Sequence, residues 1–178
     1  TQARRRWLGP TKPQAEIAPD KPVEGYVPRA KLIVQRRELL AMADLHPLQQ
    51  PWYLAHTYVD ISPDRLAPID GSVLLGPGVA LIETPGHVLG NQTLVLSTGS
   101  GIWATSENAI AAECISPEHS KIPGVAKWAK RWQQEVILNA NTIEATAEQY
   151  NSMVIENALV DPSQHDSRLM QFLPSMEL

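Results

Sequence analysis

The stretch Ala80–Gly101, ALIETPGHVLGNQTLVLSTGSG, contains the strongest indications of the fold and of a functional site. Two apolar runs flank a Pro85-Gly86 turn, and His87 follows that turn directly. Because proline restricts the backbone and glycine permits a close bend, the imidazole is predicted to point in a fixed direction at the end of a buried strand. His87 is therefore either a metal ligand or a histidine of an exposed hairpin loop.

Short apolar runs separated by glycine turns surround this stretch between Leu66 and Ala104. In chain order they are RLAPI, SVLLG, VALIET, TLVLST and GIWAT. Runs at this spacing predict an antiparallel meander. Further upstream, AKLIVQ (residues 30–35) predicts a strand, and RRELLAMADL directly after it has apolar residues at helical spacing.

The last third of the chain is predicted to be helical. In residues 125–138 apolar side chains recur at spacings of three and four: Val125, Trp128, Trp132 and Val136. A second segment, residues 141–159, begins with Asn141 and Glu144 in capping-box spacing. One apolar stripe along it predicts the face that packs on the core: Ile143, Ala147, Tyr150 and Val154. The whole order predicts a sheet covered by helices, in the α/β (α+β) class.

Composition narrows the classes of function. The 178 residues are 43% hydrophobic and 19% charged, which is typical of one globular domain with a buried core. A net charge of -4 gives no reason to expect a nucleic-acid partner, and no apolar run approaches the roughly 20 residues of a membrane helix. A single cysteine, Cys114, excludes an internal disulfide and predicts a reducing, cytoplasmic compartment.

The N-terminal segment differs from the rest of the chain. Residues 1–28 contain five of the fifteen prolines and predict an extended segment, followed by one domain over residues 29–178. Because the chain opens on Thr1 instead of methionine, we expect it to begin inside a longer gene product. An N-terminal threonine can act as a nucleophile with its own α-amine as base. The polar sequence QARRRWLGP after Thr1 makes such an amidase the least favoured alternative.

Glu107 is the second candidate ligand, because it follows the strand-like run GIWAT. If the strands before His87 and Glu107 pair as a hairpin, one end of the sheet presents both side chains. Imidazole nitrogen and carboxylate oxygen together suit zinc, iron or manganese. In the loop that follows, His119 and Lys121 are candidates for binding a substrate carboxylate or carbonyl oxygen.

Residues 83–110, ETPGHVLGNQTLVLSTGSGIWATSENAI, resemble the metallo-β-lactamase superfamily, in which a T-P-G-H turn and a strand precede S-G-D-A. PRAKLIVQRRELL is similar to the strand and helix after that family's first metal loop, and FLPSMEL to its closing strand and loop, so the resemblance spans about Val27 to Leu178. It implies an αββα sandwich, incomplete in this chain. It also implies that His87 is the third histidine ligand and that Glu107 replaces an aspartate that often bridges two metals.

The resemblance implies a hydrolase of small ester, lactone or thioester substrates that uses metal-bound hydroxide, with zinc or else iron or manganese. The chain departs from the family in two places. The H-x-H-x-D-H loop is absent, and Met176 stands where the family has its last histidine. His165-Asp166 is a candidate replacement for that histidine, although it lies in the turn-rich stretch DPSQHDSR. We therefore expect that the first metal loop belongs to a missing N-terminal fragment or companion chain, or that the N-terminal segment of this chain has replaced it. The alternative is a non-catalytic binding or scaffold member of the same fold.

Overall fold

The structure, a computed structural model, describes residues 27, 29–47, 50, 61–138 and 146–174. Several sequence predictions lie outside these residues: the nucleophile Thr1, the extended segment over residues 1–28 apart from Val27, the capping box at Asn141, the stripe residue Ile143, and the replacement of a histidine by Met176. The chain divides into two compact units, Thr1–Ile69 and Asp70–Leu178.

The first unit contains a βαβ arrangement. Strand β1 (Leu32–Gln35) leads directly into helix α1 (Arg36–Ala43), and strand β2 (Leu66–Ile69) pairs with β1 in parallel. The prediction that RLAPI opens the antiparallel meander is therefore wrong. The physical reason is the connection: a long crossover that contains a helix returns the chain to the same end of the sheet, which gives a parallel pair.

The second unit is built on a five-stranded sheet in which neighbours along the chain are also neighbours in space. Its strands, in spatial order, are β3 (Val73–Gly76), β4 (Val79–Glu83), β5 (Gln92–Thr98), β6 (Gly101–Ser106) and β7 (Phe172–Pro174). The first four form the predicted antiparallel meander, and β7 joins β6 in parallel. The predicted strand in FLPSMEL is thus confirmed for its first three residues.

The directions of these strands bring two distant loops to the same place. Both β4 and β6 run antiparallel to β5, which lies between them, so β4 and β6 run in the same direction. The chain segments after Glu83 and after Ser106 consequently leave the sheet at the same end. This is the end at which the sequence predicts the metal site.

Two helices accompany this sheet: α2 (Val125–Trp132) and α3 (Thr146–Leu159). Met153 of α3 lies fully buried in one apolar cluster with Ala104 of β6 and Phe172 of β7. The predicted stripe on α3 is partly wrong, because Ala147 is exposed, although Tyr150 and Val154 do pack against the cluster. The buried positions of α3 are instead Gln149, Ser152, Met153 and Glu156.

Helix α2 is shorter than the predicted segment of residues 125–138. It ends because Gln133 takes a left-handed conformation, with φ of 53°, and the N–H of Gln134 then donates to the carbonyl of Ala129 at 2.9 Å. Val136, predicted on the helix stripe, lies buried in the core beyond the helix end. Trp128 and Trp132 remain more than half exposed.

The predicted α/β class is confirmed by these sheets and helices, and the second unit has a sheet accompanied by helices, as predicted for half of an αββα sandwich. Cys114 is a free thiol packed against the apolar cluster, as expected of a small core residue. Among the described residues, the helices are too short and too polar to cross a membrane.

Candidate metal centre

His87 and Glu107 meet at the shared end of β4 and β6. The imidazole Nε2 lies 3.5 Å from the Glu107 Oε2, and the two side chains are 31% and 59% exposed. The predicted proximity is confirmed, but not through a hairpin between their two strands, because β5 separates these strands. That either residue binds a metal stays a prediction.

The distance between the two donor atoms fits shared coordination of one ion. Zinc binds imidazole nitrogen and carboxylate oxygen at about 2.0–2.2 Å, so two ligands of a tetrahedral ion stand roughly 3.4 Å apart. The observed 3.5 Å agrees with that separation. Within the described part of the chain no group of three or more His, Cys, Asp or Glu side chains surrounds such an ion. The residues present thus fit as two of the ligands.

The loop from Thr84 to Asn91 holds His87 in place. Main-chain hydrogen bonds close the loop at its base, where Thr84 N–H donates to the Asn91 carbonyl at 3.2 Å. Gly86 is required by close packing: a Cβ there would lie 2.6 Å from the Asn108 Oδ1 and 2.7 Å from the Gln149 Cα. The loop therefore rests directly on α3 and on the residue after Glu107.

Asn108 connects the two candidate ligands. Its Oδ1 accepts the His87 backbone N–H at 2.9 Å, and its peptide bond joins it to Glu107. Its Nδ2 donates to the Thr84 carbonyl and to the Glu156 Oε1, both at 3.0 Å. Asn108 is fully buried, and Gln149 donates to its carbonyl at 2.9 Å. The amide side chain is fixed on every side by hydrogen bonds.

Glu156 lies at the base of this network, on helix α3. Its carboxyl is fully buried, and Thr93 donates a hydroxyl hydrogen bond to Oε1 at 2.6 Å. Because Thr93 donates to Glu156, the 2.6 Å contact between the Thr84 and Thr93 hydroxyls has Thr84 as its donor. Desolvation raises the pKa of Glu156, and hydrogen bonds from its uncharged neighbours oppose this only in part.

The sequence indicates this network through the spacing of polar residues, not of apolar ones. Gln149, Ser152 and Glu156 recur at spacings of three and four on α3, which is helical periodicity in polar residues. The Ser152 hydroxyl donates to the Pro85 carbonyl at 2.6 Å. A polar stripe of this kind on a helix that covers a sheet indicates buried hydrogen bonding.

The remaining candidates do not join the pair. His119 is paired with the Glu118 carboxylate at 3.5 Å, and Lys121 is exposed. Within the described residues, neither side chain has a hydrogen bond or ion pair with His87 or Glu107. His165 is exposed in a turn in which the Asp166 carboxylate binds the Arg168 guanidinium at 2.6 and 2.8 Å. This turn shows no contact to the pair among the described residues.

Glu156→Gln is expected to become more stable relative to the parent chain as pH rises. Folding raises the carboxyl pKa above its usual 4.5, so at low pH both the folded and the unfolded chain hold the proton and ionisation costs nothing. Above pH 4.5 the unfolded chain ionises first. The free energy of unfolding of the parent then falls by about 1.4 kcal/mol per pH unit until the pH reaches the pKa of the folded chain. Glutamine removes this loss.

The measurement is urea unfolding of parent and variant at pH 4 and pH 8. The exposed Glu135→Gln removes the same charge and serves as the matched control. A stability difference between Glu156→Gln and the parent that is the same at both pH values would contradict the raised pKa.

No protein-family model matches the chain, and no curated protein matches it. The chain is similar to solved structures of N-acyl homoserine lactone hydrolases. A variant of AiiA from B. thuringiensis, with N-decanoyl-L-homoserine bound at the active site, is 30% identical with a TM-score of 0.38, over 57% of this chain and 40% of that chain. A hydrolase with N-hexanoyl-L-homoserine bound at its catalytic metal centre gives the same values.

A quorum-quenching N-acyl homoserine lactone lactonase is 29% identical, with a TM-score of 0.36, over 58% of this chain and 44% of that chain. The chain therefore spans less than half the length of these solved proteins. Superpositions with TM-scores below 0.5 leave the function to be argued from the residues of the site.

Proposed function

We propose that this chain belongs to a metal-dependent hydrolase of lactone, ester or thioester substrates, with His87 and Glu107 as two of its metal ligands. The observation that carries the proposal is the 3.5 Å separation of the imidazole Nε2 and the carboxylate Oε2 at one end of the sheet. Both side chains are partly exposed, so an ion between them is reachable by solvent and substrate. The sequence resemblance to the metallo-β-lactamase superfamily supports the same assignment.

The chemistry of the pair suits this role. Imidazole and carboxylate are the mixed donors that zinc, iron and manganese accept, and such an ion polarises a carbonyl group and activates water for attack on it. His87 contributes direction, since its backbone is fixed by Asn108 at 2.9 Å. Glu107 contributes a negative charge that helps to hold a divalent cation at the sheet end.

Two ligands do not complete a catalytic site, which needs three protein ligands and an open position. We propose that the others lie in a preceding fragment or companion chain, where the family resemblance places the H-x-H-x-D-H loop. The lactonases similar to this chain extend well beyond the part that matches it. Because the similar solved proteins are lactonases, lactones are the first substrate class to test. His119 and Lys121 remain proposed contacts for the oxygen atoms of the substrate.

A non-catalytic binding or scaffold protein is the second candidate. The observation that favours it is that His87 and Glu107 are joined by no third donor of the His, Cys, Asp or Glu type within the described ranges. In such a protein the His87–Glu107 contact is a surface ion pair, which contributes little to stability. Metal content separates the two candidates.

The test is elemental analysis of the purified natural product, followed by hydrolysis assays on a panel of lactones, esters and thioesters. The hydrolase proposal predicts about one equivalent or more of zinc, iron or manganese, and hydrolysis that stops when a chelator removes the metal. Less than about a tenth of an equivalent of these three metals would refute it and leave the scaffold candidate.

A further inference from the structure

One buried residue is linked to both candidate ligands of the metal centre. The His87 backbone N–H donates to the Asn108 Oδ1 at 2.9 Å, while Asn108 itself follows Glu107 in the chain. A rotation or shift of Asn108 would consequently move the His87 backbone and the Glu107 backbone together. The 3.5 Å separation of the two donor atoms depends on where this one residue sits.

The orientation of the Asn108 amide is determined by its neighbours. Its Nδ2 has two hydrogens, and each meets an acceptor at 3.0 Å: the Thr84 carbonyl and the Glu156 Oε1. A flipped amide would place oxygen against both acceptors and nitrogen against the His87 N–H, which loses all three bonds. Glu156 and Thr84 thus select the orientation in which Oδ1 faces His87.

We propose that Asn108 is the positioning residue of the His87–Glu107 site and that Glu156 fixes its amide for this purpose. The effect of Asn108 on zinc affinity rests on the proposed function. The effect of Asn108 on the hydrogen bond of the His87 backbone does not rest on it.

The surroundings of Asn108 and Glu156 support this assignment. Both residues are fully buried, and the main-chain N–H of Asn108 donates to the Ser106 hydroxyl at 3.1 Å. A buried carboxyl is costly, and the Oε2 of Glu156 has no hydrogen-bond partner in the described structure. An apolar side chain would fill that position at lower cost. The other carboxylate oxygen, Oε1, accepts hydrogen bonds from both Thr93 and Asn108.

The experiment compares Asn108→Asp with the parent chain. Aspartate keeps the size of the side chain and one acceptor oxygen but replaces the donor with an oxygen that faces the Thr84 carbonyl and Glu156. We expect hydrogen exchange of the His87 amide, relative to the Ala104 amide of the core, to become at least about tenfold faster. Zinc affinity, measured by calorimetry with zinc alone, is expected to fall by about 10–100-fold, as for other residues that orient metal ligands.

Glu156 is tested by a pair of variants. Glu156→Leu removes the acceptor and is expected to follow Asn108→Asp in both readouts, whereas the conservative Glu156→Gln keeps an acceptor oxygen and is expected to recover most of the loss. If Asn108→Asp does not fold, Asn108→Ala carries the same test, because alanine removes the amide without adding a charge.

Ser152→Ala is the matched control. It also removes a buried hydrogen bond from α3 to the same loop, at the Pro85 carbonyl, but it does not touch His87 or Asn108. The variant is expected to lower the melting temperature and to leave zinc affinity and the relative His87 exchange near parental values. Equal losses of zinc affinity in Ser152→Ala and Asn108→Asp would indicate general loosening of the loop and overturn the positioning role.

The two proposals fail separately. A natural product without zinc, iron or manganese counts against the metal site, yet the His87 amide still reports on Asn108 in such a protein. Unchanged His87 exchange in Asn108→Asp overturns the positioning role whether or not zinc binds.

Discussion

Gly86→Ala is expected to destabilise the folded chain by about 3 kcal/mol, at the upper end of the range for overpacked interiors. A Cβ at this position would lie 2.6 Å from the Asn108 Oδ1, 2.7 Å from the Gln149 Cα and 2.8 Å from the Gln149 Cβ. Two of these atoms belong to the frame of helix α3 and have no rotamer by which to withdraw. The third is the oxygen that holds His87. Relief of the overlap therefore requires the loop to move away from the helix.

Urea unfolding of Gly86→Ala, Gly99→Ala and the parent measures this effect. Gly99 lies in the turn between β5 and β6, and a Cβ there meets no atom within 4 Å, so its alanine variant is expected to stay within about 0.5 kcal/mol of the parent. An unfolding midpoint of Gly86→Ala equal to that of Gly99→Ala would show that the loop does not rest on α3 as the structure has it.

The requirement at Gly86 shows what the sequence can and cannot reveal about the site. The Pro85-Gly86 turn, the meander and the placement of His87 and Glu107 at one sheet end follow from local pattern, since glycine, proline and period-two apolar runs act over a few residues. The close approach of Gln149 is different. It joins positions far apart in the chain, and no pattern in residues 84–91 indicates which helix will pack there.

Apolar periodicity misses the buried polar residues for a related reason. Periodicity analysis assigns polar side chains to the solvent face, but Glu156 is fully buried and accepts from Thr93, which lies 63 positions earlier. Its burial is tolerated because several donors converge on it, and that convergence exists only after folding. The end of α2 likewise depends on a left-handed conformation at Gln133. A glutamine in the sequence does not predict this conformation, because residues other than glycine rarely adopt it.

His87→Ala is expected to abolish zinc uptake, with a loss of affinity on the order of a hundredfold or more, while the free energy of unfolding changes by less than about 1 kcal/mol. Of the two ligands proposed in this chain, only Glu107 then remains, and a single carboxylate does not hold zinc against water. The fold is preserved because the imidazole is partly exposed, and the anchoring bond to Asn108 uses the His87 backbone N–H, which alanine retains.

His119→Ala is the matched control for zinc uptake, because His119 also stands 3.5 Å from a glutamate carboxylate, that of Glu118. The two pairs share donor types and distance and differ in how they are held. His87 is fixed by a buried amide, whereas His119 and Glu118 are adjacent residues of one short 3-10 helix. If the geometry of the sheet end creates the site, only His87→Ala loses zinc in calorimetric titration. Equal losses in both variants would mean that any surface His–Glu contact binds zinc this way, and parental affinity in His87→Ala would leave His87 as a loop residue and remove the basis of the hydrolase proposal.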